Sequence, residues 1–113
     1  VGHHIQNLEG TLDRARSAQA QSTEVAGNQI QVGVELQADC YAGVWAARSG
    51  ALEPGDIEEG MRAAEAIGDD TLQRQAQGRV VPESFTHGSS AQRQEALQRG
   101  LQSGNPAACN YAR

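Results

Sequence analysis

Aromatic residues are scarce in this chain: one Phe, one Trp and two Tyr among 113 residues. With a hydrophobic share of only 38%, the sequence can build a modest core but not a generous one. Proline is almost absent, at 3 residues, and glycine is ordinary at 13, a balance that favours solvated helices over disorder. No apolar run is long enough to cross a bilayer. No secretory signal is visible, although a chain that opens in the middle of a helix could have lost one. Positive charge is short as well. Nine Lys+Arg stand against 14 Asp+Glu, a formal net charge of −5, and the basic residues form no stripe that could collect phosphates. This argues against nucleic acid as a partner. The length suits one small domain or a piece of a larger protein. Cysteine is limited to Cys40 and Cys109. They are either two lone thiols or one long-range disulfide, which would imply an oxidising compartment, and spacing alone leaves both open.

What is present is helical pattern. Ile5, Leu8, Leu12 and Ala15 step by three and four, which predicts a first helix from Val1 to Gln21 with Glu9, Asp13 and Arg16 on its far side. Ser22-Thr23 offers N-cap hydroxyls, and Glu24 suits the first turn of a second helix reaching Arg48, with Ile30, Val34, Tyr41, Val44 and Trp45 on one stripe and Gly50 as the stop. Asp56 with Glu59 reads as an acidic capping box, and Ile57, Met61, Ala64 and Ile67 mark the buried face of a third helix ended by Gly68. Asp69-Asp70 opens a short fourth helix through Leu72 to Gln77. The stretch GRVVPESFTHGSS is irregular, since Pro82 and Gly88 forbid a continuous helix and its β-branched residues favour extended backbone. Ser89 and Gln92 form a second capping box for a helix through Leu97 and Leu101 to Ser103-Gly104, terminated by Asn105-Pro106. The expectation is a mostly α protein of about five helices with one irregular loop, a single helical domain or fragment over residues 1–113.

Chemistry concentrates in VELQADCYAG. Glu35 and Asp39 are one turn apart, so both carboxylates leave the same face of the most apolar helix. Buried without a partner they would be expensive, and something positive should face them; on a solvated face they need nothing. His3 lies on the preceding helix. A catalytic zinc site draws on neutral imidazoles and a carboxylate, with two histidines a turn apart and a fourth position left for water. An acid behind the other nitrogen of an imidazole orients it, and Asp39 is placed to do that. The chain has 3 histidines, and adjacent His3 and His4 cannot both reach one metal, so one ligand is missing. The plain alternative is a surface histidine beside a solvated acid pair.

At this point the residues resemble a family. VGHHIQNL looks like the continuation of the zincin motif HExxH, with its first His and Glu falling just before Val1. ELQADCYAGVWA resembles the downstream helix of the bacterial neutral zinc metallopeptidases, a gluzincin-like zincin family. LEPGDIEEG, IGDDTLQRQ, GRVVPESFTHGSSAQR and SGNPAAC look like its later blocks, in order. The resemblance covers nearly the whole chain and implies the helical C-terminal part of a zincin-like metallopeptidase that hydrolyses peptide bonds through zinc-activated water. It implies His3 as the second zinc histidine, Glu35 as the third ligand and Asp39 as the acid that holds a ligating histidine. By looser analogy, His87 would donate to the tetrahedral oxyanion, with Arg93 fixing it or neighbouring acids.

The first histidine and the general-base glutamate are not in this sequence, so the resemblance also implies that the chain by itself is inactive and holds Zn2+ only as part of a longer parent. His4 has no place in the motif. Cys40 points away from Asp39 and is expected to pack or to bond Cys109. The expected partner is a peptide or protein substrate, with no nucleic acid and no membrane contact from this segment, and a homodimer could form through exposed apolar surface. Many members of the family look membrane-tethered with the catalytic part outside the cytoplasm, an extracytoplasmic setting that suits a Cys40–Cys109 bridge. The rival reading is a non-catalytic helical interaction module, which requires a solvated Glu35/Asp39 face and a coherent apolar patch.

Overall fold

In the computed structural model, residues 2–8, 10–20, 23–50, 52–53 and 55–111 are described, and the side chains of residues 7–8 and 19–20 are not. Val1, Glu9, Gln21, Ser22 and the Leu8 side chain, all used in reading the sequence, therefore lie outside the description. The amino-terminal stretch forms two helices, α1 (Gly2–Leu8) and α2 (Thr11–Ala20), where the apolar stepping predicts one. The difference lies at Gly10, whose φ of +75° is left-handed backbone that glycine enters without a steric penalty.

Helix α3 (Glu24–Ser49) follows, capped by Thr23, whose hydroxyl accepts from the Ala26 N–H at 3.2 Å. Next come α4 (Asp56–Ala66), α5 (Asp69–Gln77) and α6 (Ser90–Ser103). At α4 the expected Asp56 cap is corrected: Gly55 is the N-cap, and the Asp56 carboxylate instead accepts from the Glu53 N–H before the helix. The capping box of Ser89 and Gln92 does form at α6. The irregular segment contains a 3₁₀ turn at Pro82–Ser84, and a second, Pro106–Ala108, follows α6. Six α-helices and no strand form among the described residues.

Packing is organised around α3. Leu36, Cys40, Tyr41 and Val44 from this helix bury with Ala96 of α6 and with Cys109, and Ile5, Val32 and Tyr111 pack against them. Few large side chains are available, so the backbones come close. A Cβ at Gly100 would lie 2.0 Å from the Cys40 carbonyl oxygen, so only glycine permits the α3–α6 crossing. The same economy seats α1, because a Cβ at Gly2 would lie 2.2 Å from the Ala38 carbonyl oxygen. That contact delivers His3, the next residue, to the side of α3 that carries Glu35.

Cys40 and Cys109 are joined by a disulfide that closes a 69-residue separation and ties the segment after α6 to the middle of α3. Two expected core stripes are narrower than the sequence suggests. Trp45, Ile57 and Ile67 are 54%, 50% and 46% exposed. The reason at α4 is that it meets α6 through small residues: Ala64 is buried, and Gly60 sits against Leu97.

Candidate metal centre

His3 and Glu35 meet across the α1–α3 contact, with His3 Nε2 3.3 Å from Glu35 Oε2. The Glu35 side chain is 14% exposed and that of His3 is 52% exposed, so the pair sits at the edge of the helix packing with one side open. Each partner is held from behind. His3 Nδ1 is 2.8 Å from Gln6 Oε1, and Glu35 Oε1 accepts from Gln31 Nε2 at 3.1 Å. Beside them lies a small cleft of about 230 Å³ lined by His3, Leu12, Ala15, Arg16, Gln31 and Val34. His4 is exposed.

The donor pair fits zinc in two respects. An imidazole nitrogen and a carboxylate oxygen are both ordinary zinc donors, and zinc sites are tetrahedral with metal–donor distances of about 2.0–2.1 Å. Neighbouring corners of such a tetrahedron are about 3.3–3.4 Å apart, which matches the observed 3.3 Å between Nε2 and Oε2. A direct charge-assisted hydrogen bond would be shorter, at about 2.7–2.9 Å. Among the described residues no group of three His, Cys, Asp or Glu converges, so the pair supplies two donors and a complete site needs at least one more.

Asp39 lies one turn further along α3, and both of its oxygens are taken by Arg93 of α6. Arg93 Nε donates to Oδ2 at 2.8 Å and Nη2 to Oδ1 at 2.9 Å. This two-pronged geometry is the strongest arrangement open to a guanidinium and a carboxylate. The imidazole of His3 is held by Gln6. With side chains 10% and 20% exposed, the pair is largely out of water. Arg93 is held above its ordinary pKa by its hydrogen bonds to Asp39, against the opposing effect of burial, and by the charges of Asp39, Glu35 and Asp69. The arginine thus stands in the field of three acids, Asp39, Glu35 and Asp69.

His87 sits on the loop between the Pro82–Ser84 turn and α6. Its Nδ1 is 2.9 Å from Thr86 Oγ1 and 3.5 Å from Asp69 Oδ1, so it is bonded to its own loop and not to the His3–Glu35 pair. Asp69 organises that loop. Its Oδ2 accepts from the N–H groups of Thr86, His87 and Gly88 at 3.0, 2.7 and 2.9 Å. The structure therefore brings His3 to Glu35, Asp39 to Arg93 and Cys40 to Cys109, while His87 is placed by Asp69. Gln6 and Gln31 are absent from the sequence reading, and Asp69 enters it only as the start of a helix. A glutamine three residues after His3 and another four before Glu35 share helix faces with them, and that spacing is the signal that could have found both.

A family model described as "Putative neutral zinc metallopeptidase" matches residues 1–112. The chain belongs to that family. It is 54% identical over 113 residues to Uncharacterized protein YpfJ of Escherichia coli, covering 97% of this chain and 39% of that protein. It is 46% identical over 122 residues to Uncharacterized protein Rv2575 of Mycobacterium tuberculosis, covering 96% of this chain and 40% of that one. The chain thus spans about two-fifths of the length of the curated relatives it matches. No solved structure matches it.

Proposed function

We propose that this chain supplies part of the active centre of a zinc-dependent peptidase, with His3 and Glu35 as two of the protein ligands. The reading is carried by one observation, the His3 Nε2–Glu35 Oε2 separation of 3.3 Å in a chain of this family. With Nε2 unprotonated, its lone pair and the carboxylate oxygen repel each other unless a cation lies between them, and zinc is a cation whose geometry the distance suits. The module reading loses support here, because it needs Glu35 and Asp39 on a solvated face and both side chains are largely covered.

A zinc ion in such a centre supplies Lewis acidity, polarising a scissile carbonyl and making water more acidic. The residues of this chain hold and orient its surroundings. His3 presents Nε2 while Gln6 holds its other nitrogen. Glu35 brings one negative charge, oriented by Gln31. Arg93 holds Asp39 and keeps the α3–α6 wall of the centre rigid. His87, fixed by Asp69, is placed on a loop from which a donor could meet an oxyanion developing on a bound peptide. The remaining histidine ligand and the general-base glutamate would come from residues preceding Val1, the register in which VGHH continues HExxH. The substrate would be a peptide or protein, and the setting extracytoplasmic, consistent with a disulfide in the core.

The test is hydrolysis of an unstructured peptide mixture by the full-length protein. Activity abolished by a chelator, restored by Zn2+ and missing in Glu35→Gln supports the proposal. Activity that survives the chelator and the substitution would sink it.

A further inference from the structure

Gln6 is an unusual residue to find 0% exposed, and every polar atom of its side chain is used. Nε2 donates to the Val34 carbonyl at 2.8 Å and to Gln37 Oε1 at 2.7 Å, while Oε1 meets His3 Nδ1 at 2.8 Å. Gln37, 6% exposed, passes its own Nε2 to the Cys109 carbonyl at 3.1 Å. A backbone carbonyl can only accept. The Val34 and Cys109 carbonyls therefore fix which end of each carboxamide is the amide nitrogen, and no flipped assignment satisfies both. The polarity of the whole chain follows. Gln37 Oε1 must accept from Gln6, Gln6 Oε1 must accept from His3, and His3 must carry its proton on Nδ1. In the neutral imidazole the Nε2 lone pair is then left facing Glu35 Oε2 at 3.3 Å.

We infer that Gln6 is a positioning residue: the last amide of a buried relay that starts at the Val34 and Cys109 carbonyls, it locks His3 in the tautomer able to bind a metal. The inference rests on the zinc reading above and extends it to a residue with no donor role of its own. A neutral imidazole free to choose would place its proton on Nε2 and donate it to Glu35, which closes the site to a cation. Gln6 removes that choice because, among the described residues, His3 is the donor that meets its oxygen. The anchoring is rigid at both ends: Val34 is mid-helix on α3, and Cys109 is bonded through sulfur to Cys40 of the same helix. Ligating histidines generally depend on such an outer partner, and its loss weakens metal binding by about 10- to 100-fold.

The experiment uses the full-length protein with 15N-labelled histidine. NMR of the metal-free wild type should show His3 as the Nδ1–H tautomer, and chelator competition should give its Zn2+ affinity. Gln6→Met should move the proton to Nε2 and weaken Zn2+ binding by about 10- to 100-fold. Gln37→Met also empties a buried amide position but leaves the Gln6–Val34 bond, so its tautomer and affinity should stay close to wild type. Equal weakening in both variants, with the tautomer unchanged, would make the role merely structural and overturn the inference. Should Gln6→Met fail to fold, the wild type decides: His3 protonated on Nε2 in the metal-free protein overturns the relay even when zinc binds. The Nδ1–H tautomer in a protein that takes up no Zn2+ refutes the zinc reading instead.

Discussion

Replacing Arg93 with methionine would strand the Asp39 carboxylate between α3 and α6. The two hydrogen bonds lost are 2.8 and 2.9 Å long, and the side chains are 10% and 20% exposed, so water can reach the abandoned acid only in part. Breaking a buried ion pair from one side typically destabilises by about 3–5 kcal/mol. The residual exposure of Asp39 puts the expectation at the lower end, about 3 kcal/mol. Lysine at this position keeps the charge but not the fork, and should recover only part of the loss. The double variant Arg93→Met with Asp39→Leu removes both charges at once and should be more stable than Arg93→Met alone. Urea unfolding measures each value, with an unchanged dependence on denaturant showing that the folded state is still the same. A loss below about 1 kcal/mol for Arg93→Met would mean that the pair behaves as an exposed one. A double variant weaker than either single would show that the stranded charge is not what destabilises.

Asp69→Ala should release the Thr86–Gly88 loop, since three N–H groups lose their acceptor, at about 1–3 kcal/mol; hydrogen exchange at those three amides should accelerate well beyond that of α3, and unaltered exchange would refute the clamp. Replacing Cys40 and Cys109 with serine opens a crosslink across 69 residues and should lower stability by about 2–4 kcal/mol, read by unfolding with and without reductant, which should affect only the parent. Tyr111 is pushed up to about 12 by burial, by its hydrogen bond to Glu95 and by the Glu95 charge. Its folded pKa lies above the unfolded value of about 10, so its contribution is complete below about pH 10 and is lost as pH rises toward 12. Absorbance titration of the phenol in Glu95→Gln should fall back toward the ordinary value, and no movement would remove Glu95 as a cause.

How much of the fold and the site was legible depended on whether a local rule or a tertiary contact decided the outcome. The limits of α3 and α6 follow from Thr23, Gly50, Ser89, Gln92 and Gly104, whose cap chemistry acts within a few residues. The break at Gly10 was hidden by apolar residues that keep step across it, because periodicity does not register a single left-handed residue. Trp45, Ile57 and Ile67 looked buried because spacing shows which residues share a face but not whether a neighbour arrives to cover it. At the site, His3 and Glu35 stood out by residue chemistry, their roles as ligands came from the family resemblance, and the demand for a positive group near Asp39 came from the cost of burying acids. The glutamines did not emerge. No local rule marks Gln6 and Gln37, which are buried by tertiary contacts: the approach of α1 to Ala38, which Gly2 permits, and the Cys109 segment beside Gln37.

A cation held between His3 and Glu35 is the central claim, and zinc content by elemental analysis of the full-length protein tests it most directly. One zinc per wild-type molecule, with none in Glu35→Gln and none in His3→Ala while both variants stay folded, is the predicted result. Zinc retained at full stoichiometry in both variants, or none in the wild type after reconstitution, would contradict it.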